Sequence, residues 1–322
     1  MPDSSTETSS VGPMRFDAAQ RLFSASHVPG SSSDPATLPR EIGHFQIDRI
    51  LGESWGTQTF LAHRRDRDVP WVVHRYTLGL VPDEHAALRD ELRRTVIESV
   101  RLRVPLEESG DEDGCPYIVW PYIPGVALDR YADRHDLNTT ERIRLLTRLC
   151  QSVQRLHQSG RPHGDLKPGH VIVDAKGEVH LVGLGVSTLL RANLRDIDAD
   201  ERFIARALQY RAPETIDQPT VAFSIVNDQY ALAAIAWRLL AGRPPHELDE
   251  LRRDDAIQRC LDDDPIVSGT RQPLTPVLIR ALEAAVSRTP SARPKSVNDL
   301  GDVLRSQGEQ ATVPWWRRLG RK

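Results

Sequence analysis

The sequence predicts an α+β chain of two lobes. Residues 45 to 124 read as strands and turns with one helix, and from Leu128 onward the chain is mainly helical. A length of 322 residues allows one larger bilobed domain or two small ones. With 39% hydrophobic and 27% charged residues there is enough apolar material for a core, which excludes disorder throughout.

Residues 1–40 are rich in Ser, Thr, Pro and Asp and cannot bury enough apolar surface to offset their ordering entropy, so they are expected to be disordered. Within them Met14, Phe16, Ala19, Leu22 and Phe23 have loosely helical spacing, which suits a transient helix or a docking peptide. Phe45, Ile47 and Ile50 start an extended segment that runs into Leu51-Gly52, and Thr57 to Ala62 and Val69 to Tyr76 read as further strands. His85 to Arg103 is helical by composition, and Tyr117 to Trp120 is a short buried strand. Asn138 followed by Glu141 has the spacing of a capping box. Behind it Leu146, Leu149, Val153 and Leu156 mark one buried helix face. Val171 to Val173 and Val179 to Val182 read as strands, followed by helices near Asp228 to Leu240, Pro276 to Ser287 and Val297 to Arg305. Residues 309–322 form a basic tail with Trp315 and Trp316.

Several function classes drop out on composition. A net charge of −3 gives no whole-chain case for nucleic-acid binding. Cys115, Cys150 and Cys260 are spaced for neither a disulfide framework nor a zinc site, which suits a reducing compartment. No apolar run reaches a membrane span, the longest candidate, Ala231 to Ala241, being broken by Arg238. The opening Met-Pro-Asp-Ser-Ser has no basic start or apolar stretch, so no signal peptide is expected. Of 42 basic residues only Lys167, Lys176, Lys295 and Lys322 are lysines, and none precedes Lys167.

Read in order, a set of motifs resembles the eukaryotic-type serine/threonine protein kinase family. Leu51-Gly52-Glu53-Ser54-Trp55-Gly56 looks like a glycine-rich loop, and Tyr117 to Gly125 like the fifth strand and hinge. His163-Gly164-Asp165-Leu166-Lys167-Pro168-Gly169-His170 resembles the catalytic loop, with Gly183-Leu184-Gly185 where Asp-Phe-Gly belongs. Ala212-Pro213-Glu214, then Asp228-Gln229-Tyr230, then Arg293-Pro294 follow at family spacing. The resemblance implies a bilobed protein-kinase-like fold over residues 41–308, with a β-rich N-lobe of about 41–122 carrying one main helix and a mainly helical C-lobe of about 123–308.

Phosphoryl transfer in that family rests on positioning and charge neutralisation by a lysine and two magnesium ions. The strand lysine falls on His74, shorter and mostly neutral at pH 7, while adjacent Arg75 faces the other side of the strand. The helix glutamate that should clamp it falls on Thr95, with Glu91 and Glu98 about one turn away on either side. The metal-binding aspartate is Gly183, and Asp174 and Asp196 lie too far off for a misalignment. The second metal ligand is His170, a poor substitute for oxygen on magnesium. Ser54 and Thr57 replace loop glycines, with Trp55 between them, Val72 and Trp120 intrude on the adenine side, Ala207 replaces the activation-segment threonine and Gly164 the loop arginine. His163, Asp165 and His170 match no zinc pattern, and His163 reads as a packed residue against Leu184.

Asp165 and Lys167 remain, either as a live base and a phosphate-contacting lysine or as vestigial loop residues that bond locally. Leu51, Gly52, Gly56, Val72, His74, Trp120, Ile123 and Ile172 would line a degenerate nucleotide pocket, while Glu214, Asp228 and Arg293 are expected to be structural. The expectation is a pseudokinase, a regulatory or scaffolding module in signalling, with no cofactor and no metal, His170 and Gly183 standing at the metal positions. The alternative is an atypical active serine/threonine kinase using ATP and magnesium with Asp165 as base. A kinase-fold enzyme of other chemistry has no specific support. Expected partners are other proteins through the kinase-fold surface and an anionic membrane through residues 309–322, with no nucleic acid. The expected location is the cytoplasm, with peripheral membrane contact as a second option.

Overall fold

Short connections place most neighbouring strands of the first sheet side by side. The structure, a computed structural model, describes residues 38–54, 57–77, 82–102, 106–184, 205, 208–217, 224–248, 251–263 and 274–312. Strands β1 (Glu41–Ile42), β2 (Phe45–Ser54), β3 (Thr57–Arg64), β4 (Arg67–Tyr76), β5 (Glu108–Glu112) and β6 (Cys115–Pro121) form one sheet in the order β1-β2-β3-β4-β6-β5. Every pairing is antiparallel. The expected strands are present, each extended by a few residues. β5 carries no strand signal in the sequence: Glu-Ser-Gly-Asp-Glu has no apolar alternation, and it is a strand because β6 supplies its pairing partner.

Helix α1 (Pro82–Leu102) connects β4 to β5 and starts three residues earlier than the composition suggested. Pro82 takes the first helical position, where a missing N–H costs nothing. Leu88 and Leu92, both fully buried, pack against Val72 and Tyr76 of β4 and Ile118 and Trp120 of β6. Each such leucine contributes roughly 2 kcal/mol. α1 is therefore fixed to its own sheet.

After the connection at Tyr122–Pro124 a second sheet begins, β7 (Gly125–Ala127), β8 (Val171–Asp174) and β9 (Val179–Leu181), in that order. Around it lie α2 (Leu128–Arg134), α3 (Thr139–His157), α4 (Pro213–Asp217), α5 (Ile225–Ala241), α6 (Arg253–Asp262), α7 (Pro276–Ala285) and α8 (Val297–Thr312). The capping box at the head of α3 is formed: Asn138 Oδ1 accepts from the Glu141 amide at 3.1 Å, and Glu141 Oε2 accepts from the Asn138 amide at 2.9 Å. α5 is buried on nearly all sides, which makes it the axis of the helical core. Among the described residues no helix is long and apolar enough to cross a membrane.

α8 runs past Arg305, the end that the sequence pattern predicts for it. It continues to Thr312, into the segment read as tail. Gly308 faces Ile143 of α3, and a Cβ there would lie 3.4 Å from its side chain, an ordinary packing distance. The stretch containing Met14 to Phe23, Trp55, Gly56, the Glu98 side chain, Gly185, Asp196, Ala207, Trp315 and Trp316 lie outside the described residues.

Candidate functional site

The loop from His163 to His170 connects α3 to β8 and is anchored from below by Asp228, near the start of α5. Asp228 Oδ2 accepts from the His163 amide at 2.6 Å and Oδ1 from the Gly164 amide at 2.9 Å. His157 Nε2 lies 2.8 Å from the same Oδ2. Asp228 is 1% exposed, so these bonds satisfy a charge that could not otherwise be buried. His163 is also buried, with Nε2 at 3.0 Å from the Val182 carbonyl, and burial lowers its pKa.

On this base Lys167 Nζ donates to Asp165 Oδ2 at 2.7 Å. Burial would raise the Asp165 pKa, but Lys167 and the neighbouring His170 outweigh it and hold it at about 2. Asp165 is thus an ionised carboxylate with one oxygen engaged by an ammonium. His170 Nδ1 lies 2.8 Å from the Asp165 carbonyl, an acceptor, so Nδ1 carries the proton. Burial and then the Lys167 charge lower the His170 pKa to about 3, and the ring is neutral.

Gly183 meets that ring. Its φ is +77°, a left-handed conformation that favours glycine, and a Cβ on it would fall within 2.9 Å of three His170 ring atoms. The two positions that the sequence aligns with magnesium ligands, Gly183 and His170, therefore present no side-chain oxygen. One has no side chain, and the other offers only an imidazole Nε2 lone pair. Among the described residues no group of three or more His, Cys, Asp or Glu could hold a metal ion. The donor set does not fit a magnesium–nucleotide.

The roof of the cleft comes from β4. Register places His74 opposite Thr59 on β3 and Ile118 on β6, and its Nδ1 lies 2.7 Å from Thr59 Oγ1. Its ring stands 4.9 Å from that of Tyr76, edge-on, and 5.9 Å from that of Trp120. Burial, then the positive charge of Lys167, push the His74 pKa down to about 4 against an opposing pull from Asp165. His74 is thus a neutral ring satisfied by a hydroxyl. Leu51, Val72, Tyr76 and Trp120 belong to one apolar cluster with Tyr122 and Val182. Ile123 and Ile172 are half-buried on the connection and on β8, and Gly52 has open space around it.

α1 turns Thr95 to its buried side, and the hydroxyl donates back to the Glu91 carbonyl at 2.9 Å. The Glu91 carboxylate reaches the C-lobe, where its Oε1 accepts from Arg161 at 3.1 Å.

Further down, Arg293 donates two 2.7 Å bonds to the Glu214 carboxylate, one from each terminal nitrogen. The Arg293 side chain is fully buried and its guanidinium lies 5.2 Å from the Tyr230 ring centroid. Asn227 adds a bond to Glu214 at 2.5 Å.

Three participants escaped sequence reasoning. Thr59 and Tyr76 follow from strand register, Tyr76 sharing a face with Val72 and His74 by the two-residue period. Arg161 carried no signal, because its partner lies 70 residues away.

A family model described as protein kinase domain matches residues 84–294. The match begins after β4, beyond the stretch where the glycine loop and the strand lysine depart from the pattern. The serine/threonine-protein kinase PknB of Mycolicibacterium smegmatis is 25% identical over 284 residues, 85% of this chain and 45% of that protein. PknK of Mycobacterium bovis, also a serine/threonine-protein kinase, is 28% identical over 195 residues, 60% of this chain and 17% of that one. This chain thus spans less than half the length of either relative. The crystal structure of the PknI kinase domain of Mycobacterium tuberculosis superposes with a TM-score of 0.57 at 22% identity, over 84% of this chain and 99% of that one. The likeness is one of fold.

Proposed function

Because this chain belongs to the eukaryotic-type serine/threonine protein kinase family, we propose that it is a pseudokinase, a kinase-fold module that binds other proteins in signalling and transfers phosphate poorly or not at all. The observation that carries this reading is the contact between His170 and Gly183, which leaves both metal positions without oxygen ligands and fills the space between them. The His74–Thr59 bond supports it from above, since the lysine position is committed within the protein. Three departures at charge-handling positions, Gly183, His170 and His74, act on one function, the neutralisation of a triphosphate. Residues 41–308 remain the domain proposed for this role, with α8 extending it to Thr312.

One observation favours the second reading, an atypical active kinase: Asp165 is ionised and partly open, as a base must be. A thermal-shift titration with ATP, with and without magnesium, separates the two. No magnesium-dependent shift is expected. Magnesium-dependent binding in the micromolar range would sink the pseudokinase reading.

A further inference from the structure

Helix α1 is joined to the C-lobe by a pair of residues outside the nucleotide cleft. Glu91 is 18% exposed and divides its carboxylate: Oε1 accepts from Arg161 at 3.1 Å, and Oε2 lies 2.9 Å from Arg94, three residues along the same helix. Arg94 is 66% exposed and stays within α1, whereas Arg161 is 24% exposed and belongs to the other lobe. Each end of the Glu91–Arg161 pair is rooted in something rigid. On the α1 side, Leu88 and Leu92 lock the helix to the first sheet. On the other side Arg161 lies two residues before His163, whose amide is held by Asp228 at 2.6 Å. A largely buried pair is screened by salt far less than an exposed one, and a guanidinium on a carboxylate is directional where an ammonium is not.

We propose that Arg161 is a positioning residue that sets α1, and with it the N-lobe, against the C-lobe through Glu91, whatever the cleft contains. In the parent family the same helix is tied to a lysine that also touches nucleotide. Here β4 carries His74, bonded to Thr59, and the inward face of α1 carries Thr95, bonded to the Glu91 carbonyl, so among the described residues α1 has no tie of that kind to β4. The Arg161 bond holds it from below instead, and a partner reading the α1 surface would meet the same geometry with or without nucleotide.

Amide hydrogen exchange on the full chain tests this, comparing peptides within residues 85–96 with peptides of α3 as an internal reference. Arg161→Gln is expected to speed exchange in α1 roughly fivefold, the scale of one such pair, and to leave α3 unchanged. Arg161→Lys is expected to restore part of the protection, and Arg94→Gln to leave α1 as it is in the parent. An unchanged α1 in Arg161→Gln overturns the proposal, as does Arg94→Gln loosening the helix equally. The comparison is repeated with ATP and magnesium. The same Arg161→Gln effect in both conditions supports the clamp, and an effect erased by nucleotide assigns the position of α1 to a ligand and overturns it.

Discussion

The ring of His170 stands where a side chain at position 183 would have to go: a Cβ on Gly183 would lie 2.7 Å from His170 Nδ1. The two departures from the metal-binding pattern are therefore one structural event. The histidine ring bonds the Asp165 carbonyl and fills the gap, and only glycine is compatible with both the ring and the left-handed backbone at 183.

Returning the aspartate alone is expected to damage the fold. Gly183→Asp meets a backbone penalty of about 1–2 kcal/mol and the histidine ring as well. His170→Asn removes the ring and loses one hydrogen bond, about 1 kcal/mol. In the double variant Gly183→Asp is expected to cost at least about 1 kcal/mol less than it does alone. Denaturant melts of the four proteins measure the coupling. Strict additivity would mean that the ring does not govern position 183.

Glu214 and Asp165 are expected to respond very differently to loss of charge. Glu214→Ala leaves the fully buried Arg293 guanidinium without its carboxylate, a change of about 3–5 kcal/mol and a lowering of the melting temperature by roughly 6–20 °C. Asp165→Asn disturbs a pair whose side chains are 36% and 29% exposed, where solvent screening leaves at most about 1 kcal/mol. Calorimetry of the two variants side by side makes the comparison. A Glu214→Ala protein as stable as the parent would contradict the role given to the pair. Phosphotransfer by the parent that disappears in Asp165→Asn would contradict the pseudokinase reading.

Acid is expected to loosen the cleft at a higher pH than carboxylate titration alone would. Burial, then the Lys167 charge, push the pKa of His74 down to about 4 and that of His170 down to about 3, below the ordinary histidine value of about 6.5. Between those values and 6.5 the unfolded chain binds protons that the folded chain refuses, so stability is fully present above 6.5 and falls as pH drops toward 4. Each ring contributes up to about 1.4 kcal/mol per pH unit in that window. Asp165, lowered to about 2, acts in the same direction only at lower pH. Melting temperatures from pH 7.5 to 5 in the parent and in His170→Asn check this, the variant being expected to show the shallower slope.

Residues 309–322 carry Arg317, Arg318, Arg321 and Lys322 against Glu309, with Trp315 and Trp316 suited to a membrane–water interface. Each basic side chain near an anionic surface contributes roughly 1 kcal/mol. Co-sedimentation with phosphatidylserine vesicles is expected to depend on this segment and to weaken with salt. Vesicle binding that survives deletion of residues 313–322 would remove the membrane role.

What the sequence by itself determined is local or rests on motif identity. Asn138 and Glu141 announced the start of α3 because a capping box closes within four residues, and the period of Leu146, Leu149, Val153 and Leu156 identified its buried face. The order of Asp165, Lys167, Glu214, Asp228 and Arg293 sufficed to expect the two-lobed fold, and His74, His170 and Gly183 are the residues on which the pseudokinase proposal turns. The tertiary structure decided what those groups do instead. β5 is a strand although its residues are polar, because β6 pairs with it. Glu91 could have faced β4 from its place in the chain, yet it bonds Arg161, 70 residues on. That His170 fills the room of a missing side chain at Gly183 depends on a ring orientation set by the Asp165 carbonyl. Spacing along a chain specifies which face of an element a residue occupies. Which distant group meets that face is set only when the elements pack.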